Sequence, residues 1–361
     1  MPLSRSDVIT LSLAGAATVA AAVLTFTGSG PVVRFVSAAA ALSLLAVVVG
    51  HATDQLGSRM GPGATGVLQS ALGNLPELFV CIFSLRAGLV DVVRAALVGS
   101  ILANSLLVLG LAILVGGLRH GTQRFSTEPP RMIATLMLLA VGALVFPTLA
   151  HELHTPAEPH ETALSAACAV ALLVVFFASL PFSLKGDPTV VCNDPRDNPD
   201  DEASVGHVVW PLWVALVVLA AAGVGAAFVS EWFVDALTPT MRTLGLSETF
   251  AGLVVVAIAG NAVENVVGIQ LAAKNKPDYA MSVILNSSLQ IALALTPVLV
   301  IISFFVGPAP MTLVLAPLLV AALSLAAVIT AVIVYDGESI WLEGVALIAL
   351  YVIIAVSFWW G

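Results

Sequence analysis

Two carboxylates stand in otherwise apolar sequence. Glu77 lies in "ALGNLPELFV", residues 71–80, and Glu264 in "AIAGNAVENVVG", residues 257–268. Each follows a Gly-Asn pair at the same spacing, Gly73-Asn74 and Gly260-Asn261. An ionised carboxylate in hydrocarbon costs ~2.5 kcal/mol or more. Two that face each other also repel, so an empty pair takes up protons. A divalent cation offers the other way to cancel the charge. Ca²⁺ prefers about 6–8 oxygen ligands, which carboxylates, carbonyls and amides supply. The candidates hold no sulfur or imidazole, which disfavours dedicated Zn²⁺ or copper transport. Such a site is stable with protons or with metal and poor with neither. If only a neutralised site passes between inward-open and outward-open states, exchange of Ca²⁺ for H⁺ follows. Ca²⁺ is then cargo rather than cofactor, with Mn²⁺ or another divalent cation as alternative cargo, and no cofactor is expected.

Oxygen donors recur nearby. "GSILANSLLVLG" places Ser100 and Asn104 one turn apart, and "NSSLQIALALTP" places Ser287 and Gln290 three apart. Along a helix Gly73, Glu77 and Cys81 share a face, as do Gly260, Glu264 and Gly268. Pro76 has no N–H, so the Leu72 carbonyl four residues earlier loses its helical partner and becomes a further candidate ligand. At the position equivalent to Pro76 the second stretch has Val263, so any break there must come from Gly260. Several roles stay open at this level. Asn74 and Asn261 suit helix packing as well as ligation. Ser100 and Ser287 can bond their own i−4 carbonyls. Buried amides at Asn104 and Gln290 demand partners.

The elements that carry these residues come as a repeat. Gly73, Asn74, Glu77 and Ser100 shifted by 187 fall on Gly260, Asn261, Glu264 and Ser287. The surrounding chain of 361 residues is 59% hydrophobic and 10% charged, with a mean hydropathy of +1.05. A soluble globule cannot cover that much apolar surface, whereas a lipid bilayer can. The net charge of −9, with no basic patch, excludes nucleic acid as a partner. The expected fold is all-α and polytopic, with eleven membrane-length segments near 8–27, 33–50, 63–85, 91–117, 132–150, 162–184, 207–230, 246–273, 279–305, 311–334 and 339–360.

Residues 1–30 form an extra N-terminal helix, read as retained rather than cleaved, because its basic leader is only Arg5 and no small-residue cleavage site follows. Residues 31–184 form one five-helix repeat and 207–361 a second. Between them 185–206 is an acidic, proline-rich linker that cannot bury a core. It reads as a solvated tether or as a collector of Ca²⁺. With eleven crossings the two repeats are inverted, which places a site at the midplane where they meet. Of the thirteen Lys and Arg, only Arg34, Arg86, Arg94 and Arg242 fall on the far side. The N-terminus and linker are therefore expected in the cytoplasm and the C-terminus outside. His51 and Asp54 are expected at a solvated helix end, and "HELHTPAEPHE", residues 151–161, as an external loop. Cys81 and Cys168 read as small hydrophobes, and Cys192 falls in the linker.

"GNLPEL" followed by "GSILANSLLVLG", then "GNAVEN" followed by "NSSLQIALALTP", resemble the two α-repeats of the cation/proton exchanger (CAX) family, in the Ca²⁺/cation antiporter superfamily. The resemblance covers most of the chain and includes "GHATDQLG", residues 50–57. It implies a Ca²⁺/H⁺ antiporter in which Glu77 and Glu264 are the essential carboxylates, holding the cation or protons. It also implies that Asn74, Asn261, Ser100, Asn104, Ser287 and Gln290 line the site. Three features depart from the family. Asn265 stands where a His usually follows the second glutamate, "LPEL" looks more like the Na⁺/Ca²⁺ exchanger branch, and His51 and Gln55 replace frequent acids. A Na⁺-coupled exchanger is therefore the rival reading. The short loops suggest a prokaryotic plasma membrane. An intramembrane hydrolase lacks its motifs here, and a channel would show no proton countertransport. The expected answer is a transporter, not an enzyme.

Overall fold

The computed structural model describes residues 4–57, 59, 72–185 and 210–360, without the side chains of Arg5, Pro129, 181–185 and 262–265. Among the described residues the chain is nearly all helix. Twelve helices follow in order: α1 (Arg5–Phe26), α2 (Pro31–Gly57), α3 (Leu75–Arg86), α4 (Val90–His120), α5 (Glu128–Glu152), α6 (Glu161–Lys185), α7 (Leu212–Leu244), α8 (Glu248–Gly260), α9 (Ala262–Ala273), α10 (Pro277–Ser303), α11 (Pro317–Ile333) and α12 (Trp341–Ser357). Seven of them are long and apolar enough to cross a bilayer, while α8, α11 and α12 are shorter apolar helices. A two-residue ladder pairs β1 (Gln123–Arg124) with β2 (Glu338–Ser339) antiparallel.

The expected segments reappear with physical differences. The stretch 246–273 is two helices, because the chain breaks at Asn261 (φ −105, ψ 26). The segment expected at 207–230 is a helix of 33 residues, since Glu231 and Asp235 ride on a helix that ends only at Gly245, whose φ of 67° terminates it. Residues 311–316, expected as helix, form neither helix nor strand, and α11 starts at Pro317 after an extended Ala316 (φ −59, ψ 137). A proline disfavours helical backbone in the residue before it and suits the first helical position. Residues 186–206 of the linker, Cys192 among them, and residues 63–71 of the segment expected at 63–85 lie outside the described residues.

Helices α4 and α10 form the centre and are buried along most of their length, whereas α1 and α6 are largely exposed. The exposed faces carry Val19, Val23, Val170, Val174 and Phe177, as a lipid-facing surface would. Around the centre the packing is two-fold. Helix α3 lies on the second half of α10 and α9 on the second half of α4. In the same way α6 meets α10 where α12 meets α4, and α2 pairs with α7. The end of α4 packs against the first half of α10, and His120 there lies 3.0 Å, at its ring nitrogen, from the carbonyl oxygen of Ala273, the last residue of α9. The start of α4 reaches the segment beyond α10 through Arg94, which donates to the Thr312 carbonyl at 2.8 Å. The two central helices therefore run antiparallel.

Close approach at the centre depends on small residues. Gly99 of α4 abuts the backbone of Leu253, and Gly252 abuts the Val92 carbonyl. A side chain at either position would collide with backbone, so this crossing exists only because both are glycine.

Candidate functional site

Four elements converge on one buried polar chain: α3, α4, the break between α8 and α9, and α10. Helix α3 begins at Leu75, directly after a turn at Asn74, and places Glu77 in its first turn. Helix α9 begins at Ala262, directly after the matching turn at Asn261. The two helices span the same residues at the offset of 187, Leu75–Arg86 against Ala262–Ala273. Pro76 is therefore not the cause of the first break. It occupies the first turn of α3, where a missing N–H costs nothing, and the helix that has Val263 instead breaks at the same place. The Gly-Asn pair, Gly73-Asn74 and Gly260-Asn261, is the shared feature of both breaks.

Helices α4 and α10 each contain a π-helical segment at this level, Ala103–Val108 and Ile291–Leu295. A wide turn rotates the residues that follow relative to a regular helix, and such turns frequently mark functional sites. Asn104 sits inside the first, and Gln290 immediately precedes the second.

The side chains form a continuous hydrogen-bonded path across both halves. The Ser100 hydroxyl donates to Glu77 Oε1. Asn261 Nδ2 donates to Ser100 Oγ at 2.8 Å and to its own Ala257 carbonyl at 3.0 Å. Asn104 Nδ2 donates to Ser287 Oγ at 3.0 Å and lies 3.5 Å from Asn261 Oδ1. Glu77, Ser100, Asn104 and Asn261 are fully buried, and Ser287 nearly so. Gly260 completes the wall, since a Cβ there would lie 3.3 Å from Glu77 Cβ. The aliphatic stem of Glu77 thus packs directly on the backbone of the other repeat.

One oxygen in this path stands out. Asn104 uses its amide nitrogen twice, yet its buried Oδ1 accepts no hydrogen bond from the described residues. Leaving a buried acceptor unmatched costs about 1–3 kcal/mol. A carbonyl-type oxygen, in a path that also holds a carboxylate and two hydroxyls, belongs to the donor set that a hard cation such as Ca²⁺ uses.

The expected residues do not all join the path. Asn74 is buried at the break before α3, and its side chain makes no capping bond to that helix. Gln290 is half-buried and makes no hydrogen bond to the path among the described residues. The Glu264 and Asn265 side chains lie outside the described residues, although their backbone belongs to α9. Ser100 and Ser287 are engaged across helices rather than with their own i−4 carbonyls. Cys81 is buried and Cys168 partly buried, both as free thiols.

Two features escaped sequence reasoning. Ser105 and Ser288, 3.1 Å apart at Oγ and fully buried, join α4 to α10 directly beside Asn104 and Ser287. Their position inside the quoted "ANS" and "NSS" runs was the available signal. His51 is not a merely solvated helix end. It lies 3.4 Å from Asp7 and stacks on Trp210 with ring centroids 5.2 Å apart, while Trp210 Nε1 donates to Asp7 at 2.9 Å. This cluster ties α1, α2 and the start of α7 together. Of the 151–161 segment, residues 153–160 connect α5 to α6, while His151 and Glu152 end α5 and Glu161 starts α6. Among the described residues no group of three His, Cys, Asp or Glu is placed to hold a metal.

The same two-halved organisation is found in known proteins. A family model described as sodium/calcium exchanger protein matches residues 30–185 and 214–360, one block on each side of the linker. The chain is 38% identical over 344 residues to a Ca²⁺/H⁺ antiporter of Synechocystis sp., covering 92% of each. It is 37% identical over 319 residues to the Ca²⁺/H⁺ antiporter ChaA of Bacillus subtilis, covering 87% of this chain and 88% of that one. The solved structure of native YfkE superposes with a TM-score of 0.81 at 33% identity, covering 97% of this chain and 99% of that one. The matched blocks carry both Gly-Asn-x-x-Glu stretches and the helices that bring Ser100, Asn104, Asn261 and Ser287 together, so this chain belongs to the sodium/calcium exchanger protein family.

Proposed function

We propose that this protein is a secondary antiporter that exchanges Ca²⁺ for H⁺ by alternating access. The observation that carries the reading is the buried path from Glu77 through Ser100, Asn261 and Asn104 to Ser287, which crosses between the two repeats. The names of the relatives support protons over Na⁺ as the coupling ion.

Glu264 is the second carboxylate in this reading. It lies three residues after Asn261, as Glu77 lies three after Asn74. Together the two glutamates hold either the cation or protons. Asn104 Oδ1, the Ser100 and Ser287 hydroxyls and the Asn261 amide oxygen supply further ligands. Asn74, Gln290 and the Leu72 carbonyl, which precedes the first break, complete the set. Loss of protons from the carboxylates frees charge for Ca²⁺, and Ca²⁺ release frees the oxygens for protons. A site that is costly when empty suppresses uncoupled return of the empty carrier. Mn²⁺ fits the same oxygen donors.

The protein acts in the membrane and not as an enzyme. Residues 1–30 form an accessory helix, and 31–184 and 207–361 form inverted repeats joined by the linker 185–206, with eleven crossings in all. The N-terminus and linker face the cytoplasm of a prokaryotic cell and the C-terminus faces outward. Two contacts support this arrangement: Asp7 meets Trp210, and β1 meets β2, each joining segments assigned to the cytoplasmic face.

Transport in proteoliposomes tests the reading, with Ca²⁺, Mn²⁺ and Na⁺ varied separately under an imposed pH gradient. Ca²⁺ uptake driven by the pH gradient and insensitive to Na⁺ is expected. Uptake that follows a Na⁺ gradient and ignores pH would instead assign Na⁺ coupling.

A further inference from the structure

Segment 311–316 does something that a plain helix connection does not. Met311, Leu313 and Leu315 alternate along it and are buried between helices. Its backbone is held by single hydroxyls from three helices rather than by a β-ladder. Met311 N donates to Ser303 Oγ at 2.7 Å, Leu313 N to Ser165 Oγ at 2.9 Å, and Leu315 N to Thr148 Oγ1 at 2.8 Å. Arg94 supplies the fourth attachment. Its Nε donates to the Thr312 carbonyl at 2.8 Å, its Nη2 to Thr312 Oγ1 at 2.6 Å, and its Nη1 to Asp91 at 2.8 Å.

The segment separates two spaces. On one side is an open vestibule of about 370 Å³, whose lining includes Asp91, Glu152, Glu248 and His151. On the other is a cavity of about 10 Å³, lined by Ile101 and Thr296 among apolar neighbours. Arg94 and Leu315 line both spaces. Leu97 and Ile101, which line the small cavity, stand three residues before Ser100 and Asn104 on α4, so the cavity lies one helical turn from the ion path. The buried Thr296 hydroxyl bonds to none of the described residues, a polar group waiting in an otherwise apolar gap.

We propose that segment 311–316 is the seal of the transport route on the face opposite the linker, and that Arg94 is the residue that latches it. This rests on the antiporter reading above. In this state the apolar side chains close the gap and the guanidinium sits at its mouth, where it repels an entering cation. Opening requires Arg94 to leave Thr312 and the segment to lift from its hydroxyl partners. A guanidinium bonded to a carbonyl and a hydroxyl at once is a specific clamp that a lysine could not reproduce. Weak, separate hydroxyl bonds let the segment leave without breaking a sheet.

The test is modification of Thr296→Cys by a membrane-impermeant thiol reagent, added to one face of proteoliposomes at a time. Labelling of the parent protein, with its own cysteines, is subtracted, and Ca²⁺/H⁺ exchange is measured in the same preparation. Slow labelling at rest and faster labelling during exchange are expected from the Arg94 face. Adding Arg94→Gln should raise the resting rate about tenfold, the size of losing a charge-assisted clamp. Thr312→Val, which removes only the hydroxyl acceptor, should raise it less and serves if the arginine variant fails to fold. Equal labelling with and without these changes, at rest and during exchange, would overturn the seal. Absence of exchange in the parent protein would overturn the antiporter reading instead, while the effect of Arg94→Gln on resting labelling would still decide the seal.

Discussion

Asn261, from one repeat, donates its amide to the Ser100 hydroxyl of the other at 2.8 Å, and that hydroxyl donates to the Glu77 carboxylate. The residue that breaks the second helix therefore also orients the carboxylate of the first half. Helix geometry and site chemistry depend on the same side chain.

Asn261→Ala removes this donor and leaves Ser100 free to rotate away from Glu77. A bond in a buried charged network is worth about 1–3 kcal/mol, so the KM for Ca²⁺ should rise about 10- to 100-fold. Ca²⁺-dependent transport by the purified variant, with its melting temperature as a check on folding, measures this. An unchanged KM would remove Asn261 from the site.

Gly260→Ala places a methyl 3.3 Å from Glu77 Cβ and 3.4 Å from its Cγ, so the carboxylate must shift by a few tenths of an ångström. Transport should fall about tenfold with little loss of stability, because displaced reacting groups lose rate steeply. Gly252→Ala is expected to behave oppositely. Its methyl meets the Val92 carbonyl and lies 2.8 Å from Ala95 Cβ, so the fold should lose about 1–3 kcal/mol. Thermal melting and transport of the two variants separate site from scaffold.

Ser105 and Ser288 test the same distinction between the central helices. Their hydroxyls meet each other at 3.1 Å. A double-mutant cycle to alanine should give a coupling of about 0.5–1.5 kcal/mol in stability, with ion selectivity unchanged. A change in the Ca²⁺ to Mn²⁺ preference would make them part of the site.

Proton competition gives a signed pH dependence. Protonation of Glu77 and Glu264 cancels the charge that binds Ca²⁺, so apparent Ca²⁺ affinity should fall as the pH falls. With two carboxylates the dependence should be steeper than one proton per Ca²⁺. Ca²⁺ titrations of purified protein across pH read the slope directly, and a flat profile would exclude shared sites.

Much of the site was legible because its residues are costly where they are. A carboxylate in an apolar run demands a partner, and the 187-residue spacing paired Glu77 with Glu264, Asn74 with Asn261 and Ser100 with Ser287. Pro76 is a strong local breaker by pattern, yet the second stretch, with Val263 at that position, breaks at the same place beside Gly260, so the proline is not what the two breaks share. Segment 311–316 looked helical because Met, Leu and Val suit either conformation at that length, and only Pro317 hinted at a later start. The Gly99–Leu253 and Gly252–Val92 contacts depend on which helices cross, which local pattern does not encode. The Asp7–His51–Trp210 cluster likewise joins residues up to 203 positions apart.

The most direct test of the central claim is Ca²⁺-driven proton movement in proteoliposomes carrying Glu77→Gln or Glu264→Gln. Each change keeps the shape of the side chain and removes its exchangeable charge. Both variants are predicted to lose coupled exchange by at least about 100-fold while melting close to the parent protein. Proton movement at the parent rate in either variant would contradict a site built on these two carboxylates.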